Sequence, residues 1–175
     1  MKKIIYLSIL FSLTFILFSC SSDDNPKDEI NNFIKIQNDE YLLGYGLSED
    51  YGVFSSDIYN VDLTFLSTGF TVNGNSYSGN GYGVYFEIFS SIPNKLAVGV
   101  YQYNHSQSSL SFDDGVYFDI NGSVEIESEI VSGTITVVKS ENDYYELTFD
   151  CIDDQDRKIT GSYTGNVNYA PDLIP

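Results

Sequence analysis

From Phe33 onward, apolar and polar side chains alternate in short runs. In "IYNVDLTFLS", Tyr59, Val61, Leu63 and Phe65 share one parity, while Asn60, Asp62 and Thr64 take the other. Successive side chains of a strand point to opposite faces, so each such run predicts a strand with one face on a core and one on solvent. "VYFDI" sets Val116, Phe118 and Ile120 against Tyr117 and Asp119. "YELTFDC" sets Tyr145, Leu147, Phe149 and Cys151 against Glu146, Thr148 and Asp150. The most regular run, "KITGSYTGNVNY", puts Ile159, Gly161, Tyr163, Gly165, Val167 and Tyr169 on one face. Glycines beside Tyr163 on that face point to a strongly coiled strand or to close approach of a partner. No stretch has a helical period of useful length. The interior expected from these patterns is Val61, Leu63, Phe65, Phe86, Ile88, Phe118, Ile120, Ile135, Val137, Leu147, Phe149, Ile159 and Val167.

Turn residues punctuate the runs. Asn121-Gly122 lies between "VYFDI" and "SVEIESEI", and Asn73-Gly74 between "FTV" and "NSYS". Asn-Gly is the strongest short hairpin signal, because a type I′ turn needs positive φ at both central residues. "SEND" (140–143) and "DDQD" (153–156) should close the last two hairpins, which makes 130–169 a three-stranded antiparallel meander. The fold class expected is all-β, a single antiparallel β-sandwich or flattened β-barrel of about nine or ten strands over residues 33–175.

The N-terminal residues follow another pattern. Lys2 and Lys3 precede the apolar run Ile4–Phe18, which is shorter than the roughly 20 residues of a membrane span and matches the core of a secretory signal. The run ends in Leu17-Phe18-Ser19-Cys20, followed by Ser21-Ser22-Asp23-Asp24-Asn25. The first motif resembles the lipobox of bacterial lipoproteins. The second resembles the acidic export signal of surface lipoproteins of the Bacteroidota. Residues 132–169, "YNVDLTFLS" and "YGVYFEIFS" are similar to small all-β lipoproteins of the same group. The resemblance implies a signal peptide over 1–19, acylation of Cys20, and an export signal at Ser21, Ser22, Asp23 and Asp24. It also implies a lipid-anchored domain at the outer membrane, facing the cell exterior, and it carries no catalytic motif. Residues 20–32, polar with a single Pro, read as the lipidated Cys and a flexible acidic tether.

Charge narrows the partners. The chain carries 25 acidic and 8 basic residues, a formal net charge of −17. Removing the leader takes two lysines and no acid. Such a charge repels nucleic acid and anionic head groups. The partners left are the membrane, through Cys20, and a glycan or an envelope protein, for which the 15 tyrosines could supply a contact surface.

Candidate chemistry is sparse. The single His, His105, lies in the polar loop "YNHSQSS", and no spacing selects a nucleophile or an orienting acid for it. Gly79-Asn80-Gly81-Tyr82-Gly83 precedes a strand rather than the helix a phosphate loop uses, so it reads as a turn. Asp153, Asp154 and Asp156, and the acidic turn Asp113-Asp114-Gly115, are calcium candidates by their oxygens. Neither has EF-hand spacing, and Asp is common in hairpin turns. Glu125, Glu127 and Glu129 make an acidic face opposite Val124, Ile126 and Ile130, suited to discouraging edge pairing or to meeting a basic partner. No cofactor is indicated and no catalytic residue is assigned. The expected role is a non-catalytic binding or accessory module of the envelope. The alternative is a structural or assembly component without a small ligand, with a hydrolase third.

Overall fold

The computed structural model describes residues 32–173, and every regular element in them is a strand. The eleven strands are β1 (Phe33–Ile36), β2 (Asp39–Ser55), β3 (Ile58–Ser67), β4 (Phe70–Asn73), β5 (Ser76–Gly79), β6 (Gly81–Ser90), β7 (Gly99–Tyr103), β8 (Ser111–Asn121), β9 (Val124–Glu141), β10 (Tyr144–Asp153) and β11 (Lys158–Tyr169). The lipobox, the acids Asp23 and Asp24 and nearly all of the tether lie outside the described residues.

Nine strands form a ring in the order β1-β11-β10-β9-β7-β8-β6-β3-β2, closed by the β1–β2 ladder. Of the two architectures expected, this is the barrel. Most ladders are antiparallel, including the β9–β10–β11 meander. Two parallel contacts amend the purely antiparallel expectation, and each lies beside a short wedge strand. β1 fits between β2 and β11, and beyond it Val167 to Tyr169 pair directly with Gly46 to Ser48. β7 fits between β8 and β9, touching β8 in parallel at Gln102 and Tyr103. β4 and β5 form a separate hairpin outside the ring.

The turns fall where the sequence places them, one step out of phase. Asn121 pairs with Val124 and Asn73 with Ser76, so the two-residue loops are Gly122-Ser123 and Gly74-Asn75. Gly122 and Gly74 alone take positive φ there, 65° and 64°, which is the type II′ pattern with Gly first rather than type I′. The Asp113-Asp114-Gly115 turn does not form. These residues lie inside β8, where a register shift lets the strand bulge against Glu87 and Ile88.

The barrel interior holds Val61, Leu63, Phe65, Phe86, Ile88, Ile135, Val137, Leu147, Phe149, Ile159 and Val167, all as expected. Gly161 shows why a glycine sits on this face. A Cβ there would lie 2.1 Å from the Phe149 ring, so the ring occupies the space a side chain would need. Both ends are covered. At one, Tyr41 stacks on Tyr82 with centroids 3.6 Å apart, Tyr82 faces Tyr117, and the Arg157 guanidinium lies 5.3 Å from the Tyr117 ring. At the other, the segment between β6 and β7 folds inward. Its Leu96 is buried, its backbone N–H donates to the Tyr145 hydroxyl, and the Tyr101 hydroxyl donates to the Ala97 carbonyl.

Phe118 and Ile120 depart from expectation. Tyr117 points inward, while Phe118 and Ile120 lie on the outer face in a second apolar cluster with Leu47, Leu66, Phe70 and Ala170. The β4–β5 hairpin and the segment after β11 cover this patch, so both faces of β8 carry apolar residues. β3 is likewise buried on both faces, and Asn60, Asp62 and Thr64 are each only 7% exposed. The expected solvent face of β3 does not exist.

Cys151 points into the barrel and is fully buried, which pushes its thiol up to about 12. Thiol reagents are expected to leave it unmodified in the native state and to label it fully in denaturant. Rapid native labelling in a mass-spectrometric time course would contradict that placement.

Candidate functional site

The outer face of β2, β3, β6, β8 and β9 carries a cleft of about 330 Å³. Leu47, Glu49 and Tyr51 line it from β2, Asp62 and Thr64 from β3, Tyr85 from β6, Val116 and Phe118 from β8, and Glu125 and Glu127 from β9. Tyr77 of the outer hairpin and Ala170 and Leu173 of the C-terminal segment complete its wall. Local hydrogen bonds hold that wall. Ala170 N–H donates to the Ser48 carbonyl, Asp172 N–H to Glu49, and the Asn75 amide to the Pro171 carbonyl.

Asp62 lies at the centre. The Tyr85 hydroxyl donates to its Oδ2 at 2.5 Å, and its Oδ1 has no hydrogen-bond partner among the described residues. Burial pushes this carboxyl up to about 7. The Tyr85 hydrogen bond opposes the rise, and Glu87, Glu49 and Asp114 add to it. Burial and Asp62 together push the Tyr85 hydroxyl well above the usual phenol range, so it stays a donor. Burial likewise pushes Tyr51 up to about 12, with Asp62 and Glu49 contributing.

The register explains the crowding. Asp62 pairs directly with Glu49 on β2 and with Glu87 on β6, and Glu87 pairs with Asp114 on β8. Four carboxylates therefore cross four adjacent strands in one row. Like charges directly opposite one another destabilise a sheet. The Asn60 amide donates to Glu87 at 3.2 Å, and among the described residues no Lys or Arg lines the cleft. Glu87 is also raised, by burial first, against the Asn60 hydrogen bond.

No family model, no curated protein and no solved structure matches this chain.

Of the sites singled out in the sequence, Asp114 stands at the end of the row, Glu125 and Glu127 reach the cleft, and the others fall elsewhere. Glu125 and Glu127 line the cleft, whereas Val124 and Ile126 opposite them stay exposed. Asp153 is fully buried, and its carboxylate closes its own turn. It accepts from the backbone N–H groups of Gln155 and Arg157 and pairs with the Arg157 guanidinium at 2.7 Å. Burial raises this carboxyl, but the hydrogen bonds from Arg157 and Gln155 outweigh it and hold the group below the usual carboxylate range. Asp154 accepts from Ser128, and Asp156 is exposed. Among the described residues, no group of three or more His, Cys, Asp or Glu is arranged to hold a metal ion.

His105 does have an orienting acid, which spacing alone did not reveal. Its Nδ1 lies 2.6 Å from Asp113 Oδ1, and its Nε2 is 3.2 Å from the Tyr103 hydroxyl. Gln107 donates to the other Asp113 oxygen. The ring is 77% exposed, and Tyr103 rather than a serine or cysteine meets its Nε2. Asp62 carried no signal of its own in the sequence. Its significance comes from which residues stand opposite it.

Proposed function

We propose that this protein is an envelope-anchored lipoprotein, held by an acylated Cys20, that binds a ligand in the cleft around Asp62. One observation carries the binding reading. A buried carboxyl with an unpartnered oxygen faces a cleft walled by Tyr51, Tyr77, Tyr85 and Phe118. A structural protein gains nothing from such a group, because an unsatisfied buried polar atom costs about 1–3 kcal/mol. A strongly displaced carboxyl in a concave site is a physical mark of a functional position. The lipid anchor and outer-membrane location rest on the residues around Cys20. Mass spectrometry of the membrane-purified protein should show Cys20 acylated at the mature N-terminus. An intact Met1 or an unmodified Cys20 thiol would remove the anchor from the proposal.

The same carboxyl supports a second reading. A glycoside hydrolase needs an acid that keeps its proton near neutral pH and a second carboxylate nearby. Glu49, Glu125 and Glu127 line the same cleft as Asp62. Screening the full chain against glycan, peptide and amine panels, and against glycosidase substrates, separates the two. Saturable binding lost in Asp62→Asn supports the binding module. Turnover lost in the same variant supports the hydrolase. Ligand binding indifferent to Asp62 overturns the choice of cleft.

A further inference from the structure

We propose that the cleft takes a linear aliphatic polyamine, laid across the strands with its ammonium groups over the row Glu49, Asp62, Glu87 and Asp114. This rests on the reading of the cleft as a ligand site and assigns the ligand's chemistry.

The first argument is charge. The row begins in the cleft at Glu49 and Asp62 and runs outward over half-buried Glu87 to exposed Asp114. Glu125 and Glu127 add two carboxylates on the far wall. Among the described residues every charged side chain lining the cleft is acidic, so a cation would relieve repulsion between them. Asp62 shows that the row is incomplete by itself. The residue is only 7% exposed, it lines the cleft, and its Oδ1 is buried and lacks any partner among the described residues.

The second argument is shape. Adjacent strands stand about 4.8 Å apart, so carboxylates in register repeat at that interval. Two nitrogens joined by three methylenes in an extended chain lie about 5 Å apart on standard bond lengths. The match is close for a trimethylene- or tetramethylene-spaced amine. The remaining walls suit its stem and heads. Leu47, Val116, Ala170 and Leu173 offer apolar surface to methylenes, and Tyr51, Tyr77 and Tyr85 offer rings to ammonium groups. A bare metal ion would leave that apolar surface unused, and no metal-holding cluster is present among the described residues.

The third argument concerns protons. Glu49 and Tyr51 face Asp62 from β2, Tyr85 and Glu87 from β6, and Asp114 from β8. Glu125 and Glu127 of β9, and Tyr77 of the outer hairpin, share its cleft. None of these is a cation, so Asp62 keeps a proton near neutral pH until one arrives. An ammonium group drawn to the Asp62 carboxylate displaces that proton to solvent, and binding is coupled to proton release.

Isothermal titration calorimetry on the full chain at pH 7 tests this, with spermidine as probe and 1,8-octanediol as its neutral counterpart. Spermidine should bind saturably and more weakly at high salt, and the diol should not bind. Titrations in buffers of different ionisation enthalpy should show up to about half a proton released, because a carboxyl displaced to about 7 is about half protonated at pH 7. Asp62→Asn, whose folding is checked by denaturant melts, should weaken spermidine at least tenfold and abolish the release. The double variant Glu125→Gln/Glu127→Gln should weaken it without touching the buried row. A trilysine peptide distinguishes a free polyamine from a protein's lysines, and tighter binding of the peptide would overturn the assignment. So would spermidine binding unchanged in Asp62→Asn. If a glycan binds the cleft in an Asp62-dependent way and spermidine does not, the amine assignment fails and the cleft stands. If no probe in the panels binds there, both fail.

Discussion

Phe149→Ala is expected to remove about 3–5 kcal/mol of stability, the range for deleting a fully packed Phe. Phe149 is 2% exposed at the middle of the barrel. Its ring meets Phe86 edge-on with centroids 5.4 Å apart and stacks toward Phe65 at 6.3 Å. It also covers Gly161, which has no side chain to collapse into the space. Its strand is paired along both edges, with Ile135 opposite on β9 and Gly161 on β11. The backbone is thus pinned on both sides and cannot close the cavity. A domain of ordinary stability has about 5–15 kcal/mol in total, so the variant should be near the limit of folding at growth temperature. Guanidinium denaturation followed by far-ultraviolet circular dichroism measures the loss. A decrease below about 1 kcal/mol would show that the ring is not enclosed by Phe65, Phe86 and Gly161 as described.

Asp62→Asn should act in the opposite direction, and only above mildly acidic pH. In the folded chain the Asp62 carboxyl holds its proton up to about 7. In the unfolded chain it releases it near the ordinary value of about 3.9. Between those values the folded state binds more protons than the unfolded state, so stability falls as pH rises through the window. A displacement of about 3 units corresponds to at most about 4 kcal/mol lost by pH 8. Asparagine has the same shape and keeps an oxygen for the Tyr85 hydroxyl, but it never ionises beside Glu49 and Glu87. The variant should match the parent near pH 4 and exceed it by about 2–4 kcal/mol at pH 8. Asp153, held below the usual range, has the opposite linkage. Its contribution is present above the ordinary carboxylate range and is lost as pH falls further, so it does not mask the effect. Urea melts at pH 4.5, 6 and 8 on both proteins check the prediction. Parallel stability curves for parent and variant would show that Asp62 ionises normally. Such a cost at the centre of a cleft is what the proposed ligand site would require, since binding and catalytic positions commonly trade stability for function.

Strand positions, turns and most of the interior were legible from local pattern. The period of two in "VDLTF", "YELTFDC" and the last strand places Val61, Leu63, Phe65, Leu147, Phe149, Cys151, Ile159 and Val167 inside, where they are found. Parity is a property of the backbone, and each of these strands has a decisively apolar face. "VYFDI" has apolar or aromatic residues on both parities. Alternation does not say whether Tyr117 or Phe118 points inward, and the larger apolar set turns out to face outward. Two-sided burial of β8 depends on the β4–β5 hairpin and the C-terminal segment, which pack over it from distant parts of the chain. Asn60, Asp62 and Thr64 read as a wet face for the same reason, since nothing within "IYNVDLTFLS" announces a second layer.

The amino-acid order by itself determined that this chain makes strands, where they turn, and which side of the clearest ones must be dry. These are consequences of backbone geometry and of side chains within a few residues of one another. The tertiary structure alone decided that Glu49, Asp62, Glu87 and Asp114 stand in one row, and that His105 meets Asp113. Register between strands is set by the packing of the whole ring, so a carboxylate's neighbours, and hence its proton affinity, are fixed only when the barrel closes.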